Sequence, residues 1–332
     1  MATPQTCVIS VTYRGSVDTA ACVRALREST SSVHIVVVDT TPNDPLLKPA
    51  LDFDSDVRLI CAPGNVGFGR ANNLAIRWAL DNTSCDFLFL LNNDTKVLPN
   101  TIGLLEDAMA TSPNVGVMVP RIVRLDEPQT LWYGGGEIDW RRASAFTPGD
   151  HGRADAPLAM TPRNVTFATG CAMFIRRSVA LALGGFDPRF FIYEEDVELC
   201  LRAREQGIRI RYIPASLVLH RVQGSTQESG ADRRRFWSVD NAHLPFLAYH
   251  VMRNRMLNVR LHARGRNRIV ALAFLPLMIL RRAFPFALAG RFDAIAAMLK
   301  GLADSTCMNL RDTSIAGLDG EAGCSSEHVR RR

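Results

Sequence analysis

The densest chemistry in the sequence lies in Tyr193–Arg202 (YEEDVELCLR), where Glu194, Glu195 and Asp196 stand in a row at the mouth of a helical pattern. The backbone dipole favours negative charge at a helix N-terminus, so a capping role is open to them. Three consecutive acids behind an aromatic run exceed what a cap requires, and a carboxylate held there could act as a general base. A second polar cluster, Asn92-Asn93-Asp94, closes the apolar run Asp86–Leu91 (DFLFLL). Oxygen-bearing side chains at a strand tip suit a hard cation such as Mg2+ or Mn2+, although Asn and Asp also serve plain turns. His220 ends a third apolar run, ASLVLH. A lone His beside a strand is usually structural, but an imidazole joined to Asp94 would complete a metal site. Finally, Gly64–Asn73 (GNVGFGRANN) is a Gly-rich turn entering a helix, where backbone N–H groups can approach a phosphate. Its glycine spacing and its place after the third strand-like run argue against an NAD enzyme.

The elements that must position these residues alternate. Strand-like runs at Cys7–Tyr13, His34–Asp39, Val57–Ala62, Asp86–Leu91 and Val115–Pro120 are separated by helical stretches near Val17–Glu28, Gly69–Asn82 and Pro99–Ser112. Continuous apolar strands between helices predict an α/β fold with a mostly parallel sheet buried on both faces. Ligands bind such sheets beyond the carboxyl ends of the strands, where Thr12-Tyr13, Asp39 and Asn92–Asp94 fall. Residues 124–165 read as irregular. A strand at Ala172–Ile175, helices at Ser178–Leu183 and Val197–Gln206, and two extended pieces at Ile208–Ile213 and Leu217–His220 follow.

At 332 residues and 47% hydrophobic, 22% charged, the composition is that of an ordinary globular protein. The eight cysteines form no CxxC pair, which argues for free thiols in a reducing compartment over a zinc or redox pair. The start, MATPQTCVISVTY, lacks the pattern of a secretory signal, so a cytoplasmic location is expected. The net charge of +6 is uneven: residues 253–332 hold 14 Lys/Arg against six Asp/Glu, and residues 1–252 hold 25 against 27. The basic piece contains apolar runs at Ile269–Leu280 and Ala283–Gly290, interrupted by Pro276 and Pro285. They are shorter than the roughly 18–20 residues that span a bilayer, so a helix lying on the inner membrane face is expected. A hairpin packed on the body, or a homo-oligomer interface, is the alternative. Apolar residues between the arginines argue against nucleic acid. The tail from Thr313 is expected to be disordered.

Taken in order, Val8–Tyr13, Val36–Asp44, Asn65–Asn73, Phe89–Thr95, Ala168–Arg177, Gly184–Gly207, Ile213–His220 and Arg253-Asn254 resemble the inverting glycosyltransferases of family 2, and among them bacterial rhamnosyltransferases. The resemblance implies a GT-A fold, a Rossmann-like mostly parallel sheet flanked by helices, here with a C-terminal helical extension. It places Thr12 and Tyr13 beside the nucleotide, Asp39 on its pyrimidine, and Asn65, Gly67 and Asn72 around the donor pocket. Asn92, Asn93 and Asp94 match the family's D-x-D element, with Asn92 near the ribose and Asp94 on Mg2+ or Mn2+. His220 matches a further metal ligand, Gly170 lies beside the sugar, and Glu195-Asp196 match the acidic pair, with Asp196 as general base. The implied donor is a dTDP- or UDP-linked sugar, with dTDP-rhamnose favoured over a UDP-hexose or UDP-galactofuranose. The implied acceptor is a lipid-linked or polysaccharide glycan. A non-catalytic scaffold of the same fold is disfavoured by the intact acidic pair. The expected division is a catalytic domain over 1–250 (nucleotide half 1–122, acceptor half 123–250), a basic helical extension over 251–312 and a tail over 313–332. Arg14, Thr40-Thr41 and Glu198 depart from the family pattern.

Overall fold

The computed structural model describes residues 5–41, 44–51, 57–222 and 236–310, so the expected disordered tail lies outside the described residues. The first half runs β1 (Thr6–Thr12), α1 (Ser16–Arg27), β2 (Val33–Asp39), α2 (Leu47–Ala50), β3 (Val57–Cys61), α3 (Phe68–Asn82), β4 (Phe87–Leu91), β5 (Thr95–Val97), α4 (Thr101–Ala110) and β6 (Val115–Arg124). The short elements β7 (Leu131–Tyr133), β8 (Glu137–Asp139), β9 (Ser144–Phe146), α5 (Pro157–Met160) and β10 (Arg163–Val165) occupy the stretch read as irregular. Then come β11 (Ala172–Arg176), α6 (Arg177–Leu183), α7 (Glu195–Glu205), β12 (Arg209–His220), α8 (Leu244–His262), α9 (Gly265–Leu288) and α10 (Phe292–Cys307).

The main sheet has the order β10-β12-β6-β11-β4-β1-β2-β3, with β5 added to β12 and β7 to β6. Strands β3, β2, β1 and β4 are parallel, as their aliphatic, doubly buried runs require. Strand β11 enters antiparallel between β4 and β6, which makes the sheet mixed. Every residue of β4 is buried, and Val8, Ile9, Val36, Val37 and Val38 are fully so. The two extended pieces expected at 208–220 are one strand, β12, whose pairing with β6 shifts between Ile213 and Leu217, where Pro214 cannot donate to the ladder.

Helix α3 is fastened to the loop after α6 by one buried side chain. Asn73 donates from Nδ2 to the Phe186 carbonyl at 2.8 Å and accepts the Phe186 N–H on Oδ1 at 2.8 Å. Its amide thus substitutes for a strand neighbour and satisfies a peptide that is otherwise alone in the core.

The C-terminal layer differs from the expectation. The two apolar runs form one helix, α9, of 24 residues, continuous through Pro276 and Pro285. An interior proline removes one intrahelical bond but does not end a helix whose other contacts hold it. By length and composition α9 could cross a membrane. Yet one side of it packs: Ala271 joins Met256 and Val259 of α8 and Ala263 just after it, and Phe286 joins Leu247 and Val251 of α8 with Ala294 of α10. Helices α8 and α10 approach closely at Gly301, where a Cβ would meet the Tyr249 carbonyl oxygen. The expected boundary at 250/251 falls inside α8.

Substituting Asn73 by Ala leaves the buried Phe186 N–H and C=O unpaired. We expect a loss of about 2–4 kcal/mol in chemical denaturation, with an unchanged slope against denaturant.

Candidate active site

The strand register brings the first polar groups together. Thr12 and Asp39 are Cα partners at the carboxyl ends of β1 and β2, and Asp39 is in turn the partner of Cys61 on β3. Burial raises the Asp39 carboxyl above its usual range, opposed by a hydrogen bond from the Thr41 N–H at 2.8 Å. The departures from the family pattern form a clip at this edge. Thr40 donates from both N–H and hydroxyl to the Thr12 carbonyl at 2.9 and 2.8 Å, and the Arg14 N–H donates to the Thr41 hydroxyl at 2.6 Å. Tyr13 is exposed here, with the Arg14 guanidinium 5.3 Å from its ring centre.

Asn93 ties the next strand tip to α1: its Nδ2 donates to the Thr19 hydroxyl at 3.0 Å and to the Thr12 hydroxyl at 3.3 Å. Strand β5 then pairs antiparallel with β12, matching Thr95 to His220, and this register sets Asp94 against the imidazole. His220 Nε2 lies 3.1 Å from Asp94 Oδ1, both side chains nearly buried. The Trp132 ring meets the His220 ring edge-on with centroids 4.5 Å apart, and His220 Nδ1 has no hydrogen-bond partner. Asp18, which the sequence reading missed, sits nearby in an ion pair with Arg221 at 3.2 Å. Burial raises its carboxyl; Arg221 opposes the shift and the charge of Asp94 adds to it. Asp94 Oδ1 and His220 Nε2, 3.1 Å apart, lie at the separation of two neighbouring ligands on a divalent cation, which would take its remaining ligands from phosphate and water. Among the described residues no group of three His, Cys, Asp or Glu side chains forms a complete protein cage.

The acidic row is the third component. Asp196 accepts the Gly170 N–H on Oδ2 at 2.9 Å and the Val197 N–H on Oδ1 at 2.9 Å. Burial pushes its carboxyl up to about 6, with those backbone donors working the other way and Glu194 adding to the rise. Glu195 is buried with one oxygen, Oε2, unpartnered; desolvation first and Asp196 second raise it well above the carboxylate range. One residue after Gly170, the Cys171 carbonyl accepts the Asn92 N–H at 2.8 Å. Burial, together with the charges of Asp94 and Asp196, raises the Cys171 thiol.

The glycine-rich segment behaves differently from the expected phosphate cradle. The Gly67 N–H donates to Asn65 Oδ1 at 3.2 Å, and the Phe68 N–H to the Phe191 carbonyl at 2.8 Å. Gly67 has φ +87°, and a Cβ there would lie 2.3 Å from the Phe191 oxygen, so glycine admits a backbone carbonyl where a phosphate was expected. Asn72 is buried and bonds only within its helix, to the Phe68 carbonyl at 3.0 Å. Phe68 itself reaches the site, its Cε1 3.2 Å from where a Gly170 Cβ would stand.

Two consecutive non-glycine residues before the acids, Tyr193 and Glu194, have φ of 67° and 68°. Such backbone costs about 1–3 kcal/mol per residue and persists only where its surroundings dictate it. Here α8 does so. Asn254 Nδ2 donates to the Ile192 and Tyr193 carbonyls at 2.9 and 2.7 Å, and Asn258 Nδ2 to the Glu194 carbonyl at 3.2 Å. The Glu194 carboxylate accepts from Ser144 Oγ at 2.7 and 2.9 Å and from Arg255 at 2.8 Å. The sequence reading found Arg253-Asn254 but missed Ser144, Arg255 and Asn258, which carry no local pattern. Replacing Asn254 by Ala, or by Asp, which cannot donate, should cost about 2 kcal/mol. Amide exchange should quicken across 190–197 more than across the strands.

Residues 7–184 match the family model described as glycosyl transferase family 2, which spans the strand tips but stops before the acidic row. Over 235 residues the chain is 27% identical to an N-acetylglucosaminyl-diphospho-decaprenol L-rhamnosyltransferase of Mycobacterium tuberculosis, covering 66% of this chain and 76% of that one. It is 24% identical over 251 residues to the dTDP-rhamnosyl transferase RfbF of Shigella flexneri, covering 73% and 80%. A solved structure, GalNAc-T7 with UDP, GalNAc and Mn2+, shares the fold with a TM-score of 0.56 at 18% identity over 78% of this chain. The chain spans about half of that structure, 48%. Sheet, strand tips and family match together make this chain a GT-A glycosyltransferase belonging to glycosyl transferase family 2.

Proposed function

We propose that the chain moves rhamnose from a dTDP-linked donor to a hydroxyl of a lipid-linked or polysaccharide acceptor, with inversion at the anomeric carbon. The observation that carries the mechanism is Asp196, a buried carboxylate fixed by the Gly170 N–H and raised to about 6. A base with that affinity is ionised at neutral pH yet still takes a proton readily. Asp196 removes the acceptor hydroxyl proton as that oxygen attacks, and one displacement from the face opposite the leaving diphosphate inverts the centre. Burial and the neighbouring Asp196 raise the Glu195 carboxyl further, which disfavours a second charge beside Asp196.

Donor binding falls to the strand tips. Tyr13 and Asp39 flank the pyrimidine, and Asn65, Gly67 and Asn72 shape the pocket from the turn into α3. Asn92 stands toward the ribose, and Gly170, without a side chain, leaves room for the sugar. Asp94 and His220 would hold a Mg2+ or Mn2+ ion, which when bound supplies Lewis-acid neutralisation of the leaving diphosphate. The names of the two rhamnosyltransferase relatives support the sugar, and one supports its nucleotide. The protein works at a membrane surface with α9 lying along it. Spanning would drag α8 into lipid, since α9 packs on it, and α8 carries Arg253, Arg255 and Arg260.

A panel of dTDP-, UDP- and GDP-sugars, each with and without Mn2+, tests the donor by release of nucleotide diphosphate. We expect turnover with dTDP-rhamnose, and a loss of about 10²–10³-fold in Asp94→Asn and His220→Ala. Asp196→Asn should bind donor as wild type does but transfer at least 10³-fold more slowly, while Glu195→Gln stays close to wild type. The sign of the pH dependence follows from the raised Asp196. Rate should climb as pH rises through about 6, where the carboxyl ionises. Because the fold prefers the protonated form, its contribution to stability is full below about pH 4 and lost by about pH 6, and Asp196→Asn should melt higher than wild type above pH 6. Donor turnover unaffected by Asp196→Asn would sink this assignment.

A further inference from the structure

Away from the strand tips, a cavity of about 430 Å3 opens between the β8–β9 hairpin and the first turns of α9. That volume is in the range of small-ligand sites. Its walls divide by chemistry: Trp140, Phe146 and Val270 present apolar surface, and Arg141 and Arg266 present cations beside the Asn267 amide. The one lining carboxylate, Asp139, is compensated by Arg141 at 3.2 Å and Arg142 at 3.7 Å. Arg266 is exposed at the N-terminal turn of a long helix, where the dipole adds to its positive potential.

The cavity is mechanically joined to the acidic row. Ser144 of the same hairpin holds the Glu194 carboxylate, and Glu194 directly precedes Glu195-Asp196. The neighbouring Ala143 is buried against Met256, Val259 and Ala271, so the hairpin is shared between the catalytic body and α9. From the cavity outward, α9 carries an unpartnered apolar side, with Ile269, Leu272, Leu277, Leu280, Phe284 and Leu288 each 46–75% exposed. Arg264, Arg266 and Arg268 stand at its start. Cations at the head of an apolar track match a molecule with an anionic head and a hydrocarbon tail.

Resting on the transferase reading for its role, we propose that this cavity binds the diphosphate end of a lipid-linked acceptor. Arg141 and Arg266 meet the phosphates, Trp140 and Val270 meet the first carbons, and the chain follows the outer side of α9 into the bilayer. The sugar beyond the diphosphate then extends toward Asp196.

Calorimetry on the full-length protein separates the sources of this chemistry, using farnesyl diphosphate, farnesol, inorganic diphosphate and phosphatidylglycerol vesicles as probes. Wild type should bind farnesyl diphosphate at least about tenfold more tightly than farnesol or inorganic diphosphate, since head and tail both contribute. Arg266→Glu should weaken that binding by about tenfold or more, and Trp140→Ala should weaken it as well. Binding of dTDP with Mn2+ should be retained in both, which guards against misfolding; Arg266, being exposed, is the decisive position. No binding of farnesyl diphosphate by wild type, or equal binding in Arg266→Glu, overturns the proposal. So does an Arg266→Glu defect confined to vesicles, which would make the surface a bilayer contact alone. Should farnesyl diphosphate bind in an Arg266-dependent way while no nucleotide sugar binds, the transferase reading fails and the lipid-diphosphate site stands.

Discussion

Two hydrogen bonds made by backbone groups on either side of one peptide unit, one to a carboxylate and one to a backbone N–H, hold the site together. The Gly170 N–H is given to Asp196, and the Cys171 carbonyl receives the Asn92 N–H. Asn92 opens the stretch that leads to Asp94 at the His220 imidazole, so Asp196 and the Asp94–His220 pair are both referenced to a single segment entering β11. That segment cannot drift, because β11 is clamped antiparallel between β4 and β6 in the middle of the sheet. The separation between the Asp196 carboxyl and the Asp94–His220 pair is thus set by strand pairing. Side-chain reach contributes little to it. Such pre-organisation is what positional catalysis requires.

Opposing this rigidity is a local penalty. Tyr193 and Glu194 hold left-handed backbone, and Glu195 buries an oxygen with no partner. The chain tolerates this because α8 supplies Asn254, Asn258 and Arg255 to the same turn, and the β8–β9 hairpin supplies Ser144. None of these four residues lies in the segment that matches the family model except Ser144. The nucleotide half is therefore legible as a family trait, and the support of the acidic row belongs to contacts made far along the chain.

That division also explains what the sequence alone could yield. Periodicity located β1 through β4, α1 and α3 because each is a local run with a local burial requirement, and the polar residues at their ends marked the ligand edge. Asp196 and Asp94 were visible as acids in unusual company. Ser144 and Asn258 were not, since a single Ser in an irregular stretch or an Asn in a basic helix looks like any other until the fold sets it against a carbonyl or a carboxylate. The glycine-rich turn was open for a related reason: positive φ marks close approach without naming what approaches, and at Gly67 the Phe191 carbonyl does so. Proline likewise suggested two short pieces where α9 is one helix, because tertiary packing along Ala271 to Phe286 outweighs the lost bonds.

The role of α8 has a consequence for how such a chain can diversify. A helix that fixes the acidic turn through side-chain amides and also carries α9 and α10 on its other side is a hub with two unequal duties. Its inward face tolerates little change without loss of the turn. Its outward neighbours α9 and α10 leave much of their surface exposed, and can be exchanged, lengthened or recoloured in charge. Variation in what the molecule is delivered to, or delivered by, is thereby decoupled from variation in the reaction, and selection can tune address and chemistry separately within one polypeptide.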